Sequence, residues 1–376
     1  ANAEDYVKRF RNHASIGIYC GRNEGFPPEQ IDKALRHIVK EDHPGLHYIS
    51  SSADEVVSGH GPYRALPVKE YFSLKNGSDK FHSERGMPNV MNYESLVRTF
   101  SPEALWPQNA QWGQHDYTME GAQSCASFNA IIEKGFGKPN NAKEFADLAQ
   151  WVNYDGYRGM FESRSLNRKG LLLWMTHPAW PSMVWQTYDY YFEPTAAYFG
   201  CKKASEPLHI QWNPVTDEIE IINMDGSISW ENEVSVDSKE DTTNKCMKLD
   251  FPASVSSAHF VKLTLTENGK IVSDNFYLRG VEEGNYQALR EMPKVTLRSN
   301  VATNKGNDGT WTATATLENT SSTPALMIRV NVVGEKDGEQ FLPMFYSDNY
   351  FSLLPGEKKE INIHWKDVDT RGETPK

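Results

Sequence analysis

The stretch Ile16-Gly-Ile-Tyr-Cys-Gly-Arg-Asn-Glu24 joins a short apolar run to a polar end. An apolar run of this length is typical of a buried parallel strand, and the polar residues would stand at its carboxyl end. Pro27-Pro28 follows and favours the start of a helix, because proline fits the first helical turn. The apolar face of that helix is predicted to consist of Ile31, Leu35, Ile38 and Val39.

The alternation of strand and helix continues through the first half of the chain. Further strands are predicted at residues 46–50, 81–84 and 171–175, where apolar runs recur. A long helix is predicted after Asn141, because Asn is a good N-cap and Glu144 stands at the capping-box position. The pattern is typical of an α/β domain with a parallel sheet.

This α/β pattern predicts a TIM-type (β/α)8 barrel, but an incomplete one. A complete barrel needs about 250 residues, whereas the pattern ends near Glu206 and leaves room for about five strands. Residues 1–206 are therefore predicted to be the C-terminal part of a catalytic barrel, with strands 4–8. We expect an N-terminal segment of the same enzyme or a companion chain to supply strands 1–3. A homo-oligomer is the other possibility, because unpaired strand edges favour association.

The pattern changes to all-β after Pro207. Period-2 alternation and turn residues predict two immunoglobulin-like β-sandwich domains, at residues 207–291 and 292–376, with Pro293 in the linker. Asp225-Gly226 and Asp308-Gly309 are predicted hairpin turns. The predicted strands lie at residues 209–212, 218–222, 260–265, 311–317, 328–332 and 360–365.

Charge and cysteine content narrow the possible partners. The 376 residues carry a net charge of −11, which argues against a nucleic-acid partner because phosphates need a basic surface. No apolar run approaches the roughly 18 residues of a membrane span, so no membrane partner is expected. The four cysteines are scattered and no His/Asp/Glu cluster has ligand spacing. We therefore expect neither a metal site nor a cofactor.

Two glutamates at strand ends could cleave a glycosidic bond. In a retaining glycoside hydrolase one carboxylate attacks the anomeric carbon while the other protonates the leaving oxygen, at a separation of about 5 to 5.5 Å. Glu24 and Glu84 each end a predicted strand, and the strand ends of one barrel face the same mouth. As the acid, Glu24 must keep its proton, so we expect it to be buried. The alternative is that both are solvated surface residues.

Several motifs, in this order, resemble glycoside hydrolase family 2, especially its β-mannosidase, endo-β-mannosidase and exo-β-glucosaminidase members. Residues 11–24 resemble the strand-4 segment that ends in the acid/base, and residues 81–86 resemble the strand-7 segment of the nucleophile. The other segments that resemble this group are residues 61–63, 174–182, 188–191, 198–209 and 348–356. The resemblance therefore spans nearly the whole chain.

The resemblance implies a role for each residue of these motifs. Glu24 would be the acid/base and Glu84 the nucleophile, while Asn23 would bind the sugar 2-hydroxyl or simply cap its strand. Tyr63 would donate a hydrogen bond to Glu84. The remaining candidates for contact with the carbohydrate substrate are Trp174, Trp180, His13 and His177. The structural alternative is that the tryptophans belong to the core and the histidines are satisfied structural residues.

The sugar that we expect depends on the acid residue and on the residue just before it, Asn23-Glu24. In exo-β-glucosaminidases of this group the acid motif resembles Ser-Asp, because their substrate carries an amine at C2. Asn23-Glu24 instead favours a 2-hydroxyl, so the resemblance implies first a β-mannosidase, with exo-β-glucosaminidase as the alternative. Thr176-His177-Pro178 also departs from the Asn-containing stretch of relatives. A third possibility is a non-catalytic, truncated or carbohydrate-binding fragment.

Overall fold

The chain forms a mixed α/β region followed by β domains. The computed structural model describes residues 1–73, 80–117, 125–163, 170–223, 228–230, 236–238, 242–251, 253 and 255–376. They divide into two compact units. The first unit comprises Ala1–Pro62, Ser73–Gly86 and Leu166–Trp174, and the second comprises Tyr63–Phe72, Met87–Ser165 and Met175–Lys376.

The first unit contains two parallel ladders. Strands β1 (Ile18–Cys20) and β2 (His47–Ile49) pair in parallel. Strands β3 (Val57–Ser58), β4 (Phe81–Arg85) and β5 (Gly170–Leu173) form a second parallel sheet in the order β3-β4-β5. The strands predicted around residues 16–21, 46–50, 81–84 and 171–175 are therefore present, within one or two residues at each end. Strand β3 is only two residues long, and the sequence pattern did not reveal it.

Helices α1 (Asn2–Phe10) and α2 (Glu29–Asp42) flank the first ladder. Val7 of α1 and Val39 of α2 form a small core with Tyr19 and Tyr48, one from each paired strand. The predicted helix after Pro28 is thus present. Its expected apolar face is only partly buried, because Ile31 remains 52% exposed.

The second unit begins with helices. The helices of this unit are α3 (Val68–Tyr71), α4 (Tyr93–Thr99), α5 (Pro102–Leu105), α6 (Ala110–Gln114), α7 (Cys125–Phe136), α8 (Ala142–Glu162) and α9 (Ala196–Ala204). The Asn141 side chain accepts a hydrogen bond from the Glu144 amide at 2.9 Å, which confirms the predicted N-cap of α8. Gly200 lets α9 approach α8 closely, since a Cβ there would lie 2.4 Å from the Tyr154 carbonyl oxygen. No helix in the described ranges has both the length and the apolar character to cross a membrane.

The first β domain is antiparallel. Its strands are β6 (Leu208–Asn213), β7 (Glu218–Asn223), β8 (Ile228–Trp230), β9 (Val236–Ser238), β10 (Thr242–Lys248), β11 (Ala258–Glu267) and β12 (Lys270–Gly280). They form a sheet ordered β10-β7-β6 and two hairpins, β8-β9 and β11-β12. Trp212, Ile219 and Leu263 belong to the core between them. The predicted turn at Asp225-Gly226 lies outside the described residues.

The second β domain follows a 3-10 turn at Gln287–Glu291. Its strands are β13 (Leu297–Lys305), β14 (Thr310–Asn319), β15 (Ala325–Ile328), β16 (Phe345–Tyr346), β17 (Phe351–Leu353) and β18 (Lys358–Lys366). They form an antiparallel sheet ordered β13-β14-β18-β16 and a β15-β17 pair. Gly309 has φ +77° in the β13-β14 turn, as predicted for Asp308-Gly309. The strand predicted at residues 328–332 is wrong, because β15 ends at Ile328.

Within the second unit, buried charges fasten α8 to the first β domain. Glu162, the last residue of α8, is buried against His209 of β6 and accepts hydrogen bonds from Asn275 and Tyr277 of β12. Burial alone would raise the pKa of Glu162, but the hydrogen bond from His209 and the charge of Arg158 hold that pKa below its usual value. This network makes the helix and the β domain one packed body.

Candidate active site

The candidate acid lies in the loop after β1. The Glu24 amide donates to Ser52 Oγ at 2.8 Å, and Ser52 Oγ lies 3.4 Å from Asn23 Oδ1. The Ser52 amide in turn donates to the carbonyl of Arg22 at 3.0 Å. These bonds attach the loop after β1 to the loop after β2. The Asn23-Glu24 pair therefore stands at the carboxyl end of the first parallel ladder.

The candidate nucleophile belongs to β4. Glu84 is 5% exposed. The hydroxyl of its neighbour, Ser83, donates to the Ser52 carbonyl at 2.7 Å. Ser52 thus contacts the Glu24 segment through its hydroxyl and amide, and the Glu84 segment through its carbonyl. The two glutamates predicted from the sequence belong to segments that converge on one residue.

Of the two glutamates, Glu24 is the more exposed to solvent. We expected Glu24 to be the buried acid, but its side chain is 35% exposed in this structure. Glu84 is the buried member of the pair. His60 Nδ1 lies 3.3 Å from Glu24 Oε1 and is the ion-pair partner of Glu24 among the residues the structure describes. The sequence analysis did not single out His60.

A buried histidine holds the loop that carries His60. His82, one of the β4 residues before Glu84, is 1% exposed. Its Nε2 lies 2.7 Å from the Gly61 carbonyl, and its Nδ1 lies 3.0 Å from Ser58 Oγ. A carbonyl can only accept, so Nε2 carries the proton and Nδ1 accepts from the serine when His82 is neutral. The motif Phe81-His-Ser-Glu84 contained this residue, and only the contact reveals its role.

The other predicted residues are divided between the units. Trp174 belongs to the first unit, where its amide donates to the Arg85 carbonyl at 3.0 Å and its side chain is 45% exposed. Exposure at a strand end is compatible with stacking on a sugar and contradicts a core role. His13 lies in the turn before β1, at the opposite end of that strand from Glu24. The structure therefore does not bring His13 to the candidate site.

Tyr63, Trp180 and His177 belong to the second unit, and each contacts another ring there. Tyr63 packs on Trp185, with ring centroids 4.5 Å apart. Trp180 stacks on His115 at 5.6 Å and is 45% exposed. The exposed His177 stacks on Phe192 at 4.7 Å. The side chains of Trp180 and His177 are exposed. Contact of these residues with a sugar and the hydrogen bond from Tyr63 to Glu84 remain predictions.

Two other features of the second unit are not candidate catalytic centres. Asp189 is buried, and burial together with the neighbouring Glu193 raises its pKa to about 7. Its Oδ1 accepts the amides of Tyr191 and Glu193, so this carboxylate organises a turn. An open crevice lies between α8 and the two β domains, and it contains none of the predicted site residues. In the described part of the chain, no group of three or more His, Cys, Asp or Glu residues could hold a metal ion.

The β domains match known domain families. Residues 211–279 match the mannosidase Ig/CBM-like domain. Residues 275–376 match the Ig-fold domain of exo-β-D-glucosaminidase. The junction between the two matches falls in β12, somewhat before the boundary at residue 291 that the sequence pattern predicts.

Whole-chain comparisons give relatives of two named activities. The chain is 26% identical to an exo-β-D-glucosaminidase of Streptomyces avermitilis, covering 98% of this chain and 47% of that protein. It is 25% identical to a mannosylglycoprotein endo-β-mannosidase of Lilium longiflorum, covering 97% of this chain and 51% of that protein. The chain thus spans about half the length of the curated relatives it matches.

Solved structures share the fold. The exo-chitosanase CsxA of Amycolatopsis orientalis superposes with a TM-score of 0.87 at 23% identity, over 99% of this chain and 51% of that one. A β-D-mannosidase of Dictyoglomus thermophilum superposes with a TM-score of 0.73 at 17% identity, over 100% of this chain and 49% of that one. With the two domain matches and the whole-chain relatives, the conclusion is that this chain belongs to glycoside hydrolase family 2, in the group of exo-β-glucosaminidases and β-mannosidases.

Proposed function

We propose that the chain carries the acid/base and the nucleophile of a retaining β-glycosidase. The observation that supports this most strongly is the convergence of the Glu24 and Glu84 segments on Ser52, at the carboxyl ends of parallel strands. Active sites of parallel (β/α) barrels lie at that end. Residues 1–206 would then be the part of a (β/α)8 barrel that contributes strands 4–8, with two immunoglobulin-like domains after it.

The reaction would proceed by double displacement. Glu84 attacks the anomeric carbon, and the glycosidic bond breaks as Glu24 gives its proton to the leaving oxygen. In the second step Glu24 removes a proton from water, the water oxygen bonds to the anomeric carbon, and the bond to Glu84 breaks. Glu24 regains its proton and Glu84 its charge. Because each of the two displacements inverts the anomeric centre, the product keeps the β configuration. Asn23, adjacent to the acid, would bind the substituent at C2.

The sugar we propose is a terminal β-linked glucosamine, which replaces the mannose expected from Asn23-Glu24. Relatives named exo-β-D-glucosaminidase, such as those of Streptomyces avermitilis and Amycolatopsis orientalis, match 98% of this chain. The net charge of −11 also suits a cationic amino sugar, because an acidic surface raises its local concentration. β-Mannoside remains the second candidate, since the amide of Asn23 fits a 2-hydroxyl.

Catalysis by this protein would need more of the barrel than these strands. The described strands of the first unit form two separate parallel ladders, whereas a barrel site is assembled from the ends of all its strands. Transition-state stabilisation depends on preorganised groups around the whole sugar. We propose that a segment equivalent to the N-terminal half of the relatives completes the site. The chain together with that segment is called the completed enzyme below.

The test compares aryl β-D-glucosaminides and β-D-mannosides in the completed enzyme and in the 376-residue chain alone. Glu84→Ala should abolish turnover, with partial rescue by azide. Glu24→Ala should spare substrates with good leaving groups, which need little protonation. The control is Glu55→Ala, which removes another exposed glutamate of the first unit that pairs with a histidine. Equal losses in both variants on every substrate would refute the assigned roles, and robust turnover by the chain alone would refute the need for completion.

A further inference from the structure

His60 stands at the same end of the strands as the candidate acid and is held in an unusual backbone. Its Nδ1 is 3.3 Å from Glu24 Oε1. His60 has φ 66° and Glu24 has φ 52°. The left-handed conformation is unfavourable for residues with a Cβ, so both members of this pair are strained. His60 follows β3 by two residues and Glu24 follows β1 by four.

Stability does not explain the pair. The side chains are 62% and 35% exposed, and exposed ion pairs contribute little to the free energy of unfolding. Strained residues persist where the surrounding structure fixes them, and they cluster at functional sites. Here the fixing residue is His82, which hydrogen-bonds Ser58 and Gly61 on either side of His60. The loop is therefore anchored to β4, the strand that carries Glu84.

We propose that His60 is a positioning residue for Glu24, and this inference rests on the function proposed above. Before glycosidic cleavage, the Nδ1–H of neutral His60 donates a hydrogen bond to Oε1, so that the proton of Glu24 is on Oε2 and can pass to the leaving oxygen. After that proton has left, the same N–H donates to the carboxylate. The charged and titratable groups on the neighbouring segments are Arg22, whose Nη1 donates to the Phe26 carbonyl, and the buried His82 and Glu84.

Two variants and one control separate positioning from folding. His60→Gly removes the imidazole and accepts φ 66° without strain. His60→Asn tolerates the left-handed backbone and puts an amide N–H donor near the position of Nδ1. The control is His47→Asn, since His47 Nε2 lies 3.3 Å from Glu55 Oε2 with similar exposures of 52% and 37%. His47 begins β2 and so lies at the opposite strand end.

In the completed enzyme, His60→Gly should lower kcat/KM about tenfold to hundredfold on glycosides with poor leaving groups, the effect of one lost hydrogen bond to a charged group. It should change turnover of dinitrophenyl glycosides less than about twofold, because those need little protonation. His60→Asn should recover most of the loss, because its amide N–H can replace the Nδ1–H as the donor to Glu24.

Equal losses on both leaving groups, no loss at all, or the same effect in the His47 control would overturn the positioning role. Glu24→Gln is assayed in parallel. If it shows no leaving-group dependence, the proposed acid is wrong and the inference falls with it. If Glu24→Gln shows that dependence and His60→Gly does not, only the inference falls.

Discussion

The buried carboxylate of Glu162 gives a prediction whose size follows from its contacts. Its Oε1 lies 3.1 Å from His209 Nε2 and accepts hydrogen bonds at 2.8 Å from Asn275 Nδ2 and from the Tyr277 hydroxyl. Glu162 is 1% exposed, and Arg158, whose positive charge lowers the pKa of Glu162, is 2% exposed. Glu162→Leu would take this acceptor from the buried His209 Nε2 and from the Tyr277 hydroxyl, while Asn275 Nδ2 would keep the Ile210 carbonyl and the Tyr277 oxygen. It would also remove one of the charges that balance the guanidinium. Breaking a buried ionic network of this kind costs about 3–5 kcal/mol.

The assay is urea unfolding of the 376-residue chain, followed by the fluorescence of the tryptophans and by circular dichroism. The matched control is Glu318→Leu. The Glu318 side chain is 20% exposed, but it pairs with Arg298 and Lys358, whose side chains are 70% and 61% exposed. Loss of these solvent-screened pairs should cost no more than about 1 kcal/mol. If Glu162→Leu destabilises the chain no more than the control does, the Glu162 network does not stabilise the packing of α8 on the first β domain.

Three further predictions concern the same unit. The pKa of Glu162 is held below its usual value. The contribution of this carboxylate to the free energy of unfolding is therefore complete above about pH 5 and is lost as the pH falls below about 4. The urea midpoint should fall below that pH, and it should fall less in Glu162→Leu. Asn141→Ala removes the cap of α8 and should cost about 1 kcal/mol in urea unfolding, whereas Asn141→Ser should be nearly neutral. Gly200→Ala places a Cβ 2.4 Å from the Tyr154 carbonyl and should lower the thermal midpoint, while a midpoint equal to wild type would contradict that close packing.

Local signals predicted elements well where the chain itself supplies the partner. The cap at Asn141 and the turn at Gly309 depend on residues close in sequence, and both are present. The strand predicted at residues 328–332 failed because alternation marks an apolar face and does not supply a pairing strand. Only Ala325–Ile328 finds one, in β17.

The candidate site was predicted in part. Polar residues after apolar runs made Asn23, Glu24 and Glu84 candidate site residues, since the active sites of parallel (β/α) barrels lie at the carboxyl ends of the strands. His60 and His82 could not be found in this way, because their roles arise from contacts between loops separated by more than twenty residues. His13 precedes β1 and Glu24 follows it, so contact of His13 with the substrate stays a prediction.

The exposure of Glu24 also lay beyond the sequence. Burial of a loop carboxylate depends on which other segments cover it, and that is a tertiary property. The identity of the sugar stays a prediction, since Asn23-Glu24 reports one contact at C2, while relatives named exo-β-D-glucosaminidase and endo-β-mannosidase match 98% and 97% of the chain.

Covalent trapping would identify the nucleophile of the completed enzyme. The completed enzyme is incubated with a 2-deoxy-2-fluoro β-glycosyl fluoride, digested, and analysed by tandem mass spectrometry. A retaining enzyme accumulates a glycosyl ester on its nucleophile when the second step is slowed. We expect one labelled peptide, modified at Glu84, that is absent from Glu84→Gln and present in Glu24→Gln. Labelling of a different carboxylate, or turnover with inversion and no label, would contradict the role of Glu84 as the nucleophile.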